Sequence, residues 1–470
     1  GRRRRVPGPG ADRMATGIRS EVRAIEPDAR SEAEARLDLE ITSIAAGGAG
    51  VGRDSEGRVV FVPRTAPGDR VRVRITAARK RWARAELVEI RHPGPGRREP
   101  PCPLYARCGG CALQHLEIDH QRRAKQTIIE DALRRIGGLE VEVPAISAAG
   151  REFEYRNRLT FTMRRTPGDV RMGYRERLDP ASVLDVHDCP LAEEPVRKAL
   201  REIRRHWGVN AERLPAGKDL KVTLRCADGG DTGLHVRGGT SGADGDPKAI
   251  ASAVRSLTSY VHTCDDGARN VLAGSRRLAD RWQGTRFELE PDSFLQVNRA
   301  VSRRMDRTLD DWVGPRSDRR IADLYAGVGA RAIRWAREGA RVTAVESDAE
   351  SVLSGIRAAA AEGLHIEFRA ERVESVPDSF ADAEIIVVNP PRAGLTNAVA
   401  NSLVAAPAPR RLAYVSCDPA TLGRDLARLS PVWHPVEVRG FDAFPQTAHV
   451  ETLVWLERKG SASYVDEGAR

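Results

Sequence analysis

The sequence predicts an α/β protein in which a doubly wound parallel sheet follows an N-terminal β-barrel and a β-rich middle domain. Short alternating runs punctuated by glycine begin near residue 36, a cysteine-rich segment follows a Pro/Gly linker, and strands alternate with Ala-rich helical stretches after about residue 288. These three observations predict a barrel at 36–92, a middle domain at 93–287 and a doubly wound domain at 288–460, with a flexible basic tail at 1–35 and a second tail at 461–470.

Each part follows from its local pattern. The predicted barrel strands are 37–41, 47–52, 59–62, 71–75 and 85–90. In the middle domain, apolar residues at helical spacing predict a helix over 121–136, and 153–283 is β-rich with Gly-rich turns. The strands of the doubly wound domain are predicted at 320–325, 341–345, 366–369, 384–388 and 411–415.

Net charge, hydropathy and cysteine count limit the kinds of partner and the cellular compartment that we expect for this chain. The 470 residues carry a formal net charge of +10, and 41% of them are apolar. No apolar run reaches the roughly 18–20 residues that span a bilayer, and no apolar signal segment follows the basic N-terminus. The seven cysteines are an odd number in a long chain, which argues against a disulfide framework. We expect a cytoplasmic monomer with no membrane partner.

The positive charge is concentrated in the N-terminal part of the chain. Residues 291–470 carry 23 basic and 25 acidic side chains, so the preceding 290 residues carry a net charge of +12. Two basic runs stand out, with 11 basic against 3 acidic residues at 64–98 and 8 against 4 at 151–177. Such runs favour contact with nucleic-acid phosphates. The candidate nucleic-acid-binding residues are Arg72, Arg74, Lys80, Arg81, Arg156 and Arg158.

A Gly-x-Gly turn, Gly327 to Gly329, stands between the first strand of the doubly wound domain and a helix, where missing Cβ atoms let a ligand approach the backbone. The next strand ends in Glu346, 17 residues after Gly329 and near the roughly 20-residue spacing at which a carboxylate meets a ribose diol. Position 332 is alanine where a dinucleotide fingerprint has its third glycine. The turn therefore favours S-adenosylmethionine over a dinucleotide.

Cys417 follows the fifth strand of this domain and precedes a helix over 420–429. A helix N-terminus stabilises a thiolate, and the carboxyl edge of such a sheet borders the cofactor cleft. We therefore predict that Cys417 is a nucleophile.

Four other cysteines have metal-ligand spacing. Cys102, Cys108 and Cys111 lie close together around the flexible Gly109-Gly110 pair, and Cys189 follows much later. Four thiolates suit either zinc or an iron–sulfur cluster, and the spacing alone leans slightly to zinc. Cys226 and Cys264 fit no motif, and we expect ordinary thiols there.

Five motifs in order resemble the class I S-adenosylmethionine-dependent RNA uracil-C5 methyltransferases, in particular the bacterial 23S rRNA group. The motifs are 294–298 (FLQVN), 323–329 (DLYAGVG), 389–392 (NPPR), 416–422 (SCDPATL) and 444–451 (FPQTAHVE). The resemblance covers about residues 36–458 and includes an N-terminal barrel similar to a TRAM domain.

The resemblance implies a covalent mechanism. The Cys417 thiolate would add to C6 of uracil, which makes C5 nucleophilic enough to take the methyl group, and Glu451 would then remove the C5 proton. It also implies a [4Fe–4S] cluster on the four clustered cysteines, with zinc as the alternative. The implied cofactor-binding residues, which include the two turn glycines, are Gln296, Tyr325, Gly327, Gly329, Glu346 and Asn389.

The chain departs from the family pattern most seriously at Asn389, where the family normally has aspartate. Asparagine keeps a carbonyl acceptor but loses the charge. Two alternatives follow: an amino-group methyltransferase that uses Asn389-Pro390-Pro391, or an RNA-binding homologue with weakened catalysis. The substrate expected from the resemblance is 23S rRNA, with tRNA as the alternative.

Overall fold

The chain forms a closed five-stranded barrel at the N-terminal end of the part that the structure describes. The computed structural model describes residues 36–240 and 246–460, so both predicted tails lie outside the described residues. The barrel strands are β1 (Arg36–Ile44), β2 (Ala49–Arg53), β3 (Val59–Pro63), β4 (Arg70–Ala78) and β5 (Trp82–His92). They close in the order β1-β2-β3-β5-β4 around an apolar core. The predicted barrel is confirmed.

The middle of the chain forms a six-stranded sheet covered by helices. Its elements, after α1 (Ile118–Arg135), are β6 (Arg158–Thr166), β7 (Asp169–Gly173), α2 (Glu194–His206), β8 (Asp219–Cys226), β9 (Thr232–Arg237), α3 (Pro247–Ala253), β10 (Leu257–Thr263) and β11 (Arg269–Gly274). The strand order is β11-β10-β9-β8-β6-β7. The region is β-rich as predicted, but α2 and α3 were not foreseen. Helix α2 buries one apolar face against the sheet, and its half-buried arginines Arg197, Arg201 and Arg204 form ion pairs.

The C-terminal part is the doubly wound sheet. A two-stranded hairpin, β12 (Leu278–Trp282) and β13 (Thr285–Leu289), precedes it. Its elements are α4 (Arg299–Val313), β14 (Arg320–Leu324), α5 (Ala330–Arg337), β15 (Arg341–Glu346), α6 (Ala349–Ala361), β16 (Glu367–Ala370), β17 (Ile385–Val388), α7 (Asn397–Ala405), β18 (Arg411–Ser416), α8 (Pro419–Leu429), β19 (Trp433–Phe441) and β20 (Glu451–Arg458). The strand order is β16-β15-β14-β17-β18-β20-β19, in which the first five strands are parallel and β20 is antiparallel to both of its neighbours.

Helix α1 lies in the predicted middle domain by sequence, but it packs against α8 of the doubly wound sheet. The two helices approach closely because α8 has glycine at position 423, where a Cβ atom would lie 2.7 Å from the carbonyl oxygen of Ala132. The buried ammonium of Lys125 pairs with Asp442 at 2.5 Å. Helix α1 is therefore tied to the chain that leads from β19 to β20.

Among the described residues, no helix is both long and apolar enough to cross a bilayer.

Candidate active site

The turn after β14 has left-handed backbone at three residues. Gly327 and Gly329 adopt left-handed φ angles of 59° and 70°, and Tyr325 does so at 60°. A side chain at Gly329 would clash with Phe368, whose Cε1 atom lies 2.6 Å from the ideal Cβ position. Glycine is required there because both the φ angle and the close neighbour exclude a side chain.

Glu346, at the end of β15, is held against this turn. Its Oε2 atom accepts a hydrogen bond from the Gly327 N–H at 3.0 Å, and its Oε1 atom accepts one from the Asp348 N–H at 2.9 Å. These two bonds fix the orientation of a half-buried carboxylate beside the turn. The turn glycines and Glu346 therefore form one structural unit, as their spacing predicts.

Asp323 and Arg331 form a buried and incompletely bonded pair behind the turn. Asp323 is 1% exposed, and burial raises the pKa of its carboxyl to about 6. Its Oδ1 atom lies 3.7 Å from Nη1 of Arg331, and neither atom has a hydrogen-bond partner. Asp323 was noted from the sequence, whereas Arg331 was not, because an arginine on a helix is ordinarily a surface residue.

Gln296 and Asn389 reach the same edge of the sheet from two other segments. The Gln296 carbonyl accepts a hydrogen bond from the Asn157 side chain at 3.0 Å, which ties the 294–298 segment to the middle domain. The Asn389 N–H donates to the Leu324 carbonyl at 3.1 Å, directly beside the Gly-x-Gly turn. The side chains of Gln296 and Asn389 are each half-buried.

Cys417 and Glu451 are neighbours across two antiparallel strands. The ladder between β18 and β20 ends where Ser416 lies opposite Thr452, and Cys417 and Glu451 are the residues next to that last pair. The two groups are near enough for the charge of Glu451 to raise the pKa of the Cys417 thiol. Cys417 is half-buried, whereas Glu451 is 3% exposed. Long-range pairing therefore brings together two residues that are 34 positions apart in the sequence.

The pKa values of Cys417 and Glu451 are both raised above their usual values. Burial, with a further contribution from Glu451, raises the pKa of the Cys417 thiol to about 11. Burial raises the pKa of the Glu451 carboxyl to about 8. Arg392, which was not predicted as a site residue, opposes both shifts. The expected stabilisation of the thiolate by α8 is outweighed by burial and by the negative charge of Glu451, and Asp418, which caps that helix, adds a smaller contribution in the same direction.

The four predicted metal ligands line one cavity of about 130 Å³ between the cysteine-rich segment and the middle domain. Burial raises the pKa of Cys111 to about 12 and that of Cys189 to about 11, and neighbouring cysteines add to both shifts. Among the described residues, three ligand atoms converge within 4.8 Å of one another only at His235, Glu290 and Asp292, so no three of the cysteine sulfurs are that close.

The cluster of His235, Glu290 and Asp292 lies in the middle of the molecule and was not predicted. Its two carboxylates are already paired, Asp292 with Arg237, and Glu290 with Arg269 and Arg276. Three guanidinium groups around two carboxylates disfavour a bound cation. These residues form an ion-pair network.

The predicted RNA-binding residues are placed unequally. Arg72 pairs with Asp38 at 2.8 Å and Arg74 with Glu86 at 2.6 Å on the outside of the barrel. Lys80 and Arg81 are exposed at the β4–β5 turn and form no ion pair with any described residue. On the barrel, this turn therefore presents the least engaged of the predicted cations.

The other two predicted cations are internal. The guanidinium of Arg156 lies over the rings of Tyr155 and Phe444 and lines the cysteine cavity. Arg158 donates hydrogen bonds to the carbonyls of Asp292 and Ser293, at 3.2 and 2.7 Å. The expectation that Arg158 is a free phosphate ligand does not fit this position, because its donors fasten the segment that leads to Gln296.

Comparisons with known proteins agree with this architecture. A family described as tRNA (Uracil-5-)-methyltransferase matches residues 270–459, and the TRAM domain matches residues 32–88. An uncharacterized RNA methyltransferase of Thermosynechococcus vestitus is 32% identical over 90% of this chain and 98% of its own length. The 23S rRNA (uracil(1939)-C(5))-methyltransferase RlmD of Halomonas elongata is 31% identical over 95% of each chain.

A solved structure shares the fold over most of the chain. It is the crystal structure of Pyrococcus abyssi tRNA (uracil-54, C5)-methyltransferase in complex with S-adenosyl-L-homocysteine. The two structures have a TM-score of 0.70 at 24% sequence identity, covering 89% of this chain and 100% of the other.

Proposed function

We propose that this chain, which belongs to the S-adenosylmethionine-dependent RNA uracil-C5 methyltransferase family, is a cytoplasmic enzyme that methylates C5 of a uridine in 23S rRNA through a covalent cysteine adduct. The observation that carries the reaction is the proximity of Cys417 and Glu451, which lie next to the last residue pair of the β18–β20 ladder. The name of the Halomonas relative supports 23S rRNA over tRNA as the substrate.

The chemistry explains why both residues are needed. The sulfur of Cys417 forms a bond to C6 of the uracil, and the electron pair of the C5–C6 double bond moves toward the O4 carbonyl, which makes C5 nucleophilic. S-adenosylmethionine supplies an electrophilic methyl group when it is bound. Glu451 then removes the C5 proton, the double bond re-forms, and the thiolate of Cys417 leaves.

The titration behaviour sets a requirement for this reaction. At neutral pH, the thiol of Cys417 and most of the carboxyl of Glu451 are protonated in the ligand-free protein. A neighbouring positive charge favours the ionised form of each group. Arg392 supplies such a charge from the protein, and the cationic cofactor would add a second one.

The residues at the carboxyl edge of the sheet fit S-adenosylmethionine. At Gly327 no described atom lies within 4 Å of the position that a Cβ would occupy, so the backbone there is open to a ligand. The fixed carboxylate of Glu346 would accept hydrogen bonds from the ribose diol. Gln296, Tyr325 and Asn389 would complete the contacts of the cofactor.

The cysteine cavity supports a [4Fe–4S] cluster over zinc. In a tetrahedral zinc site with Zn–S bonds of about 2.3 Å, the ligand sulfurs lie about 3.8 Å apart. No three of the four cysteine sulfurs are within 4.8 Å of one another. A four-iron cluster separates its ligands more widely, since each thiolate binds a different iron. Anaerobic purification should give about four irons per chain; one zinc per chain would contradict the assignment.

The decisive experiment is nucleoside mass spectrometry of 23S rRNA isolated from cells that lack the gene and treated with the enzyme and S-adenosylmethionine. We expect 5-methyluridine with the parent enzyme and none with Cys417→Ala. If Cys417→Ala still formed 5-methyluridine, the covalent mechanism would be wrong, and an N-methylated nucleoside in place of 5-methyluridine would support the amino-group alternative at Asn389. Methylation of tRNA alone would contradict the substrate assignment.

A further inference from the structure

The segment between β19 and β20, residues 442–450, is called the base loop here because Glu451 follows it. Its carbonyl groups are bonded by side chains from outside the doubly wound sheet. The ammonium of Lys125 on α1 donates to the Phe444 carbonyl at 3.0 Å. The hydroxyl of Tyr155 donates to the Pro445 carbonyl at 3.0 Å. Two successive residues of the base loop are therefore held by α1 and by the middle domain.

The next carbonyl, that of Gln446, is bonded by the cysteine-rich segment. The N–H groups of Ala112 and Leu113 both donate to it, at 3.1 and 3.0 Å. These two residues directly follow Cys111, one of the four proposed cluster ligands. The cysteine cavity is thus linked to the base loop by the backbone that runs from Cys111 to Leu113 and by the two hydrogen bonds that it donates.

The side chain of Gln446 bonds to Arg98, to Gln121 of α1 and to Glu152, whose carbonyl and carboxylate oxygens accept from its Nε2 atom at 3.5 and 3.4 Å. Gln446 is fully buried, and its backbone has a left-handed φ of 71°. Its Oε1 atom accepts hydrogen bonds from Arg98 and from Gln121 of α1, each at 3.0 Å. The Gln446 N–H donates back to Oε1 of Gln121 at 2.8 Å. Gln446 therefore meets α1 through both its backbone and its side chain.

The buried position and the left-handed backbone of Gln446 are both energetically unfavourable. A non-glycine residue with positive φ is uncommon, and every polar group of a buried side chain has to be bonded. The hydrogen bonds at Gln446 offset this unfavourable free energy, and they connect α1, the cysteine-rich segment and the base loop at one residue. Glu451 follows Gln446 by five residues and is itself buried, so its position depends on the course of the base loop.

We propose that Gln446 is the positioning residue through which the cysteine-rich segment and α1 fix the base loop, so that the carboxyl of Glu451 is aligned with the C5 proton. This inference rests on the proposed function, because it takes Glu451 as the base. It assigns to Gln446 an effect on one step only. Formation of the sulfur–C6 bond depends on Cys417, which lies on a different strand, whereas loss of the C5 proton depends on the base loop.

The test measures the two steps separately on RNA that carries [5-³H]uridine. The covalent protein–RNA adduct, seen on a denaturing gel, reports bond formation, and released tritium reports removal of the C5 proton. Gln446→Met keeps the size of the side chain but removes the acceptor for Arg98 and Gln121. We expect tritium release to slow by about 10- to 100-fold, as a misplaced catalytic group does, while the adduct forms at nearly the parent rate and accumulates.

Two further variants make the test specific. Gln446→Glu retains an acceptor oxygen for both donors but loses the Nε2 donor to Glu152 and places a second carboxylate beside it, so it should recover only part of the tritium release. Gln126→Met is the matched control. Gln126 lies on α1, as Gln121 does, but its side chain donates to the Val143 carbonyl at 2.7 Å, outside the base loop. It should leave both steps unchanged. If Gln446→Met proves unstable, Tyr155→Phe removes the donor to the Pro445 carbonyl and should give the same accumulation of adduct.

The outcomes separate this inference from the proposed function. Glu451→Gln should trap the adduct on ordinary RNA, and failure to do so would overturn the assignment of the base. If Glu451→Gln traps the adduct but Gln446→Met and Tyr155→Phe slow both steps equally, or neither step, the positioning role alone is wrong.

Discussion

Glu451 begins β20 with 3% of its surface exposed, and burial raises the pKa of its carboxyl to about 8. An unfolded glutamate titrates near 4.5. Between these two values the folded state binds more protons than the unfolded state, so stability falls as the pH rises from about 4.5 to 8. We predict that Glu451→Gln raises the midpoint of thermal unfolding, and that the gain is larger at pH 7.5 than at pH 5.

Glu371→Gln is the matched control for this prediction, because Glu371 is exposed. It should leave the midpoint almost unchanged at both pH values, since surface substitutions typically change stability by less than about 0.5 kcal/mol. Scanning calorimetry at the two pH values is the measurement. An equal gain for Glu451→Gln at pH 5 and pH 7.5 would mean that the carboxyl does not titrate as its burial indicates.

Asn389 is the second residue whose chemistry can be tested directly. It lies beside the Gly-x-Gly turn, where its N–H bonds to Leu324. Asn389→Asp would add a negative charge close to a cationic cofactor, which we expect to lower the KM for S-adenosylmethionine by about fivefold, or about 1 kcal/mol. Initial rates over a range of cofactor concentrations measure the effect. Asn397→Asp, at an exposed position on α7, is the control, and a KM raised by Asn389→Asp would show that the amide is the preferred group here.

The residues that we propose to react could be identified from the sequence, but their protonation could not. Cys417 and Glu451 stand in ordered motifs, and the strand ends that bear them follow from the alternation of strands and helices. The pKa of each group depends on burial and on neighbours such as Arg392, which only the folded chain brings together. The same limit applies to Arg158, because a count of basic residues cannot distinguish a cation on the surface from a buried donor.

At the scale of elements, the five parallel strands of the doubly wound sheet were predicted within one or two residues because the strands alternate regularly with Ala-rich helical stretches. The position of α1 was not predictable. Its apolar stripe shows that one face is buried but does not say against which partner. Lys125 and Gln121 lie on that buried face, and a polar residue there is a weak signal of an internal hydrogen-bond network.

The contact between α1 and α8 gives a prediction at this scale. A Cβ at position 423 would lie 2.7 Å from the backbone oxygen of Ala132, which cannot move without shifting α1. We predict that Gly423→Ala destabilises the protein by about 1–3 kcal/mol, although alanine is the better helix former. Gly229→Ala is the control, because no described atom lies within 4 Å of the position of its Cβ. Urea unfolding measures both variants, and equal stability would mean that the helices adjust freely.

At the scale of the whole molecule, the charge and the chemistry are divided between the two ends of the chain. The net charge is +12 on residues 1–290 and −2 on residues 291–470, which fits the proposal that the first part binds RNA and the second carries out the reaction. The base loop joins them, since its carbonyls are bonded by α1, by the middle domain and by the cysteine-rich segment. Composition predicted this division of charge. The attachment of the base loop could not be predicted in this way, because Lys125 and Gln121 contact residues that are more than 300 positions away in the sequence.

This division predicts which barrel cations bind RNA. Arg72 and Arg74 are paired with Asp38 and Glu86, so each would have to break an ion pair to meet a phosphate. Lys80 and Arg81 form no ion pair with any described residue. Replacing both by glutamine should weaken RNA binding and reduce the slope of log affinity against log salt by about 1.4, or about 0.7 for each phosphate of single-stranded RNA that is no longer neutralised.

The matched comparison is the double variant in which Arg72 and Arg74 are replaced by glutamine, which removes the same charge from the same barrel. We expect a smaller change in slope for this pair, because the neighbouring carboxylates already neutralise much of its charge. Fluorescence anisotropy with a labelled rRNA fragment, measured at several salt concentrations, compares the two variants. Equal slopes would show that RNA displaces Asp38 and Glu86 from their arginines, and that the whole outer face of the barrel takes part in binding.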